Sequence, residues 1–208
     1  MRVAVLTVAG LAVLALAGCS GNSAAAPPQS TAPVIAPGKP GEPARTLDPS
    51  EAVTAVPTPA ANAADVRFMQ DMIVHHRQAL DMSDLAASHA ASDGIKRMAA
   101  RISDTQGPEI SAMTRWLEQQ EQQVPDAHHA QHTDMPGMAT PEQLDALRAA
   151  RGSEFDRLYV QLMIAHHMGA VTMASEEIQK GSHIIVQELA EDISVTQTAE
   201  INRLRLLK

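Results

Sequence analysis

The chain has 208 residues, with 16 Lys and Arg against 24 Asp and Glu, and a formal charge of −8 at pH 7. That acidic balance argues against nucleic acid as a partner, because grip on a phosphate backbone comes from Lys and Arg. The single cysteine excludes an intrachain disulfide. With 2% aromatic residues and 11 methionines, the core must be built from aliphatic side chains and thioethers, adaptable rather than jigsaw-tight.

Residues 1–18 read as an address rather than as fold. Arg2 supplies a positive start, and the apolar run over residues 3–17 is too short for a permanent membrane span. Leu16-Ala17-Gly18-Cys19 resembles a bacterial lipobox. The resemblance implies cleavage before Cys19, lipid on its sulfur and amino group, and a protein exported and anchored to the cell membrane. It would face the periplasm or the cell exterior. A plain secretory signal with an incidental cysteine is the alternative. Residues 19–61, rich in Ala, Pro, Ser and Thr, bury too little apolar surface to offset their ordering entropy and are expected to form a disordered tether. At about 3 Å per residue such a tether reaches on the order of 100 Å.

Residues 62–208 supply enough chain for one domain with a single core. Four long helical patterns are visible. The first covers about residues 62–89, with Phe68, Met72, Ile73, His76, Leu80 and Leu85 on its apolar side. The second opens at Ser92, a good N-cap, and runs to about residue 122, with Gly107-Pro108 expected to bend or divide it. A connector over residues 124–140 follows, marked as loop by Pro125, Asp126 and Pro136-Gly137. Thr140-Pro141-Glu142-Gln143 is a strong helix start. The third and fourth long helices are predicted near residues 153–181 and 182–207.

The domain is an internal duplication. Residues 65–117 align without a gap on residues 156–208 at an offset of 91. Met72 then meets Met163, His75 and His76 meet His166 and His167, and Met82 meets Met173. Asp65/Asp156, Gln106/Gln197 and Glu109/Glu200 also match. Two hairpins in duplicate predict an all-α, antiparallel four-helix bundle.

At 100° per residue, Met72, His75, His76, Ala79 and Met82 share one helix face. Met packs well there, but His does not, since each ring brings two nitrogens that need partners when buried. Adjacent histidines flanked by thioethers in both halves point to a soft metal, copper(I) first, with silver as its chemical mimic. The candidate ligands are Met72, His75, His76, Met82, Met163, His166, His167 and Met173. Met72 and Met82 are ten residues apart, about 15 Å along an axis, so they cannot share an ion. Each half therefore offers subsets, such as Met72 with His75 or His76, completed from another helix. Glu109 and Glu200 are either core-edge hydrogen-bonding groups or acceptors for the second ring N–H of a ligating His. The connector carries His128, His129, His132, Met135 and Met138, and reads either as a solvated link or as a collecting arm for metal. Binding through unperturbed His should weaken as pH falls through about 6.5.

These motifs resemble the domain of unknown function 305 family. The words that carry it are Phe68-x3-Met72-Ile73-x-His75-His76-x2-Ala79-x2-Met82 with its second copy at Tyr159 to Met173, and the repeated Gln-x2-Glu-Ile. Met135-Pro136-Gly137-Met138 and Gly152-Ser153-Glu154-Phe155-Asp156 fit the same family. The resemblance implies a ferritin-like four-helix bundle in secreted or envelope-anchored bacterial proteins, some of which bind copper through Met and His. A di-iron site, which such a fold suggests, needs Glu-x-x-His on two helices, and no Glu-x-x-His occurs. No catalytic constellation is visible either, so the chain reads as a non-enzyme. The leading function is an extracytoplasmic metal-binding lipoprotein that sequesters or transfers copper(I). The alternative is a structural or interaction module with an unknown protein partner. A copper oxidase is a weaker third, since Met-rich sites favour one redox state.

Overall fold

The computed structural model describes residues 34–36, 43–48, 60–126 and 135–207. The leader, Cys19, His128, His129 and His132 lie outside the described residues. The chain divides into two units, Met1–Pro57 and Thr58–Lys208.

Within the segment expected to form a tether, the described residues include one short strand pair. Strands β1 (Val34–Ala36) and β2 (Arg45–Leu47) pair antiparallel, with Ile35 opposite Thr46. Val, Ile and Thr favour extended backbone. Two strands of three residues are marginal by themselves.

In the second unit the regular elements among the described residues are helices: α1 (Ala63–Asp84), α2 (Ala86–His89), α3 (Asp93–Gln119), α4 (Pro141–Ala149), α5 (Gly152–Lys180) and α6 (Ile184–Arg205). Local chemistry sets several ends. Asn62 caps α1 by accepting from the N–H groups of Ala64 and Asp65, while Asp65 accepts from Asn62 N at 2.6 Å. Ser92 caps α3, and Thr140 with Gln143 forms a capping box at α4. The first helical pattern breaks at Leu85 rather than running to residue 89. Pro108 does not divide α3. Pro108 and Asp104, whose carbonyl it leaves without a donor, are both exposed, so water can satisfy that carbonyl.

Helix α1 packs along α3, α5 packs along α6, and α1 against α5 joins the two hairpins. The duplicated aspartates cross between them. Asp65 accepts from Ser182 N and His183 N at the start of α6, at 3.1 and 3.0 Å. Asp156 accepts from Ser92 N at the start of α3, at 2.9 Å. Each repeat thus closes the N-terminus of the other repeat's second helix, where unpaired N–H groups and the helix dipole favour a carboxylate.

The apolar core falls into two clusters. One holds Met82, Ile95, Ile102, Leu147, Phe155, Tyr159 and Met163, and the other Phe68, Met72, Ile73, Met113, Leu117, Val186 and Ile193. On every long helix buried polar residues lie between those clusters: His75 and His76 on α1, Gln106 on α3, His166 and His167 on α5, Gln197 and Glu200 on α6. A polar layer crosses the middle of the unit. Both clusters and this layer lie within Thr58–Lys208, so the unit carries its own core.

Candidate metal centre

The four repeated histidines meet in that layer. The His75 and His166 rings lie 3.7 Å apart between centroids, inclined at 35°, and all four His side chains are fully buried. The helices bearing the two His pairs therefore face each other, as the duplication predicts.

Three of the rings are oriented by a partner on Nε2. His76 Nε2–H donates to Glu109 Oε2 at 2.7 Å, and His167 Nε2–H to Glu200 Oε2 at 2.8 Å. The spacing of 33 residues is the same in both repeats, and it makes Glu109 and Glu200 acceptors for the imidazoles. His75 Nε2–H donates to the Pro136 carbonyl at 3.1 Å. A neutral ring with its proton on Nε2 keeps a lone pair on Nδ1, and no Nδ1 of the four rings has a hydrogen-bond partner. His166 has none on either nitrogen. The other three rings are held through one nitrogen and open at the other, as a ligating imidazole requires.

Burial decides the protonation of the central pair. His75 is pushed down to about 3, chiefly by burial and then by the neighbouring His76, against the raising effect of the Pro136 hydrogen bond. His166 lies well below its ordinary value through burial and the adjacent histidines. The weakening expected near pH 6.5 is therefore displaced to lower pH for these two rings, because desolvation has already removed their proton.

The methionines separate as the ten-residue spacing of Met72 and Met82 requires. Met72 belongs to one apolar cluster, with half-buried Met173 packed on it, whereas Met82 and Met163 belong to the other. Antiparallel packing pairs each methionine with one from the opposite repeat rather than gathering each half's set around its own histidines. Among the described residues no three His, Cys, Asp or Glu side chains converge on a common point. An ion here would be held by few donors, or after side-chain movement.

The connector contributes what sequence reasoning missed. Its backbone carbonyl at Pro136 orients His75, and Gln78 clamps it by accepting from Ala139 N at 2.7 Å and donating to Ala139 O at 3.0 Å. Met135 is buried and Met138 half-buried. Gly137 takes φ +78°, and a Cβ at Gly169 would overlap the Pro136 carbonyl, so both glycines permit the close approach. Gln106 and Gln197 are buried with both amide atoms unpartnered. Their duplication one turn before Glu109 and Glu200 was the available signal. Gly169→Ala is expected to lift the connector and free His75 Nε2. Limited proteolysis should then cut residues 135–139 faster than in the parent, and equal rates would show that Gly169 is not needed there.

A family model described as "Domain of unknown function (DUF305)" matches residues 65–208. No curated protein matches the chain. A DUF305 fragment from Deinococcus radiodurans superposes with a TM-score of 0.66 at 29% identity, over 72% of this chain and 98% of that one. A Streptomyces coelicolor DUF305 protein described as secreted gives 0.62 at 30% identity, over 68% and 88%. CopM in its Cu(I)-bound form gives 0.58 at 32% identity, over 68% and 93%. CopM also has Cu(II)-bound and silver-bound forms.

Proposed function

The chain belongs to the domain of unknown function 305 family, and from that premise we propose that it is an exported, non-catalytic protein that sequesters or hands on copper(I). The observation that carries this reading is the set of unpartnered Nδ1 atoms in a fully buried, duplicated histidine layer. An orphaned buried polar atom costs about 1–3 kcal/mol. A layer of them is retained where a ligand completes it. A soft monovalent ion fits imidazole and thioether donors, and the copper- and silver-bound forms of CopM support that choice. Copper chemistry would come from the ion. The chain's own residues would orient three of the imidazoles, through Glu109, Glu200 and the Pro136 carbonyl, in a fully buried layer.

Export is supported by the secreted description of the Streptomyces relative. Attachment to the membrane through lipid on Cys19 is part of the proposal. The competing reading, a helical interaction module, predicts no metal affinity from these residues.

The test is anaerobic titration of the Thr58–Lys208 unit with copper(I) against a competing chelator. Glu109→Gln and Glu200→Gln keep the side-chain volume but remove the charge that orients His76 and His167. Each is expected to weaken copper(I) binding by roughly 10- to 100-fold. No copper binding by the parent, or binding unaffected by both changes, would favour the interaction module.

A further inference from the structure

Beside the histidine layer, α1, α5 and the connector enclose a cleft of about 620 Å³. Its walls include Phe68, Met135, Pro136 and Met173. Two thioethers from distant parts of the sequence thus share one cleft. The repeats are unequal here: Met82 is 1% exposed in the core, whereas its counterpart Met173 is only half-buried. The cations on the walls are compensated, with Arg67 3.3 Å from Asp71 and Lys180 3.3 Å from Glu176. An entering cation meets no uncompensated positive charge from them. Pro136 belongs to both places, since it lines the cleft and its carbonyl accepts from His75 Nε2.

Resting on the copper reading above, we propose that this cleft is a separate entrance site for a soft monovalent cation, copper(I) or silver(I). Met135 and Met173 hold the ion, which then passes to the histidine layer past the wall shared by Pro136 and His75. Thioethers are soft donors and have no proton to lose, so the ligating atoms themselves do not titrate. The ion keeps its oxidation state throughout, and only its donors change.

Silver nitrate in chloride-free buffer is a redox-silent probe for this site. In the Thr58–Lys208 unit with His75, His76, His166 and His167 all changed to Ala, one equivalent of silver should be retained after desalting. Adding Met135→Leu and Met173→Leu, which keep volume and apolarity, should abolish that retention. Retention by the Leu variant, or no retention by its parent, overturns the entrance site. Where four alanines unfold the unit, the rate decides. With histidines intact, the two Leu changes should slow copper(I) uptake at least tenfold while shifting the equilibrium affinity less. An unchanged rate overturns the proposal. Failure of the copper reading looks different, since uptake by the histidine-intact unit would then be absent altogether.

Discussion

His166→Leu should make the metal-free protein more stable and its copper(I) binding weaker. His166 is fully buried, and neither ring nitrogen has a hydrogen-bond partner. Leu fills nearly the same volume without polar atoms, so the change removes two desolvation costs of about 1–3 kcal/mol each. Lost ring contact with His75, 3.7 Å away, offsets part of this. A net gain of about 2 kcal/mol would raise Tm by roughly 4–8 °C in a unit of this size. Copper(I) affinity should fall at least tenfold in the chelator titration. The acid limb should move as well. A histidine whose pKa is depressed on folding contributes stability that is complete above the unfolded value of 6.5. That stability is lost as pH falls towards the folded value, by up to about 1.4 kcal/mol per pH unit and ring. For His75 the window runs from 6.5 to about 3, and His166 is lowered in the same direction. Without the His166 ring, thermal unfolding should depend less on pH between 6.5 and 4. A lower Tm for the metal-free variant at pH 7 would mean that the layer's nitrogens are satisfied in the folded protein, and the ligand argument would lose its basis.

Gly181→Ala should be destabilising in the parent and stabilising once Glu177 is removed. A Cβ at residue 181 would overlap Glu177 Oε1 and approach Asp65 Oδ1 to 2.9 Å. The backbone at Gly181, φ −70° and ψ 163°, suits any residue, so nothing but that crowding calls for glycine. In the first repeat the equivalent positions are Ala86 and Ala90, which shows that the two differences come as a pair. Overpacking should cost Gly181→Ala about 1–3 kcal/mol. In a Glu177→Ala background the same change should gain about 0.4–1 kcal/mol by restricting the unfolded chain. A double-mutant cycle by urea denaturation measures the coupling, and additive effects would refute it.

The same pair has a pH signature. Burial first, then the Asp65 hydrogen bond and charge, push Glu177 up to about 8. A raised carboxyl gives stability that is full below its unfolded value of 4.5 and lost as pH rises to about 8. Asp65 behaves oppositely. Burial pushes it up, but hydrogen bonds from Asn62, His183, Glu177 and Ser182 together hold it below 3.8. Its contribution is present above 3.8 and lost only in stronger acid. Glu177→Gln should therefore flatten the stability profile between pH 4.5 and 8 and leave the acid limb in place.

By itself, the sequence determined the helices, the duplication and the histidine pairs, and it marked Glu109 and Glu200 as repeated carboxylates with two open roles. Caps act over three or four residues, apolar periodicity acts over a turn, and a repeat exposes its shared positions directly. All these signals are local or self-referential, so no knowledge of packing is needed to see them. Tertiary structure decided the rest. Which methionine of the other repeat joins Met72 or Met82 depends on α1 running against α5, because spacing within a half only keeps those two apart. Asp65 and Asp156 look like unexplained repeats until each is found on the other repeat's helix. The acceptor for His75 is a backbone carbonyl 61 residues away, and every residue has a carbonyl, so composition could not mark it. Glu177 reads as one more surface acid of α5 until burial and Asp65 give it a proton. Protonation, like metal readiness, belongs to the surroundings of a side chain, and those exist only once the hairpins have packed.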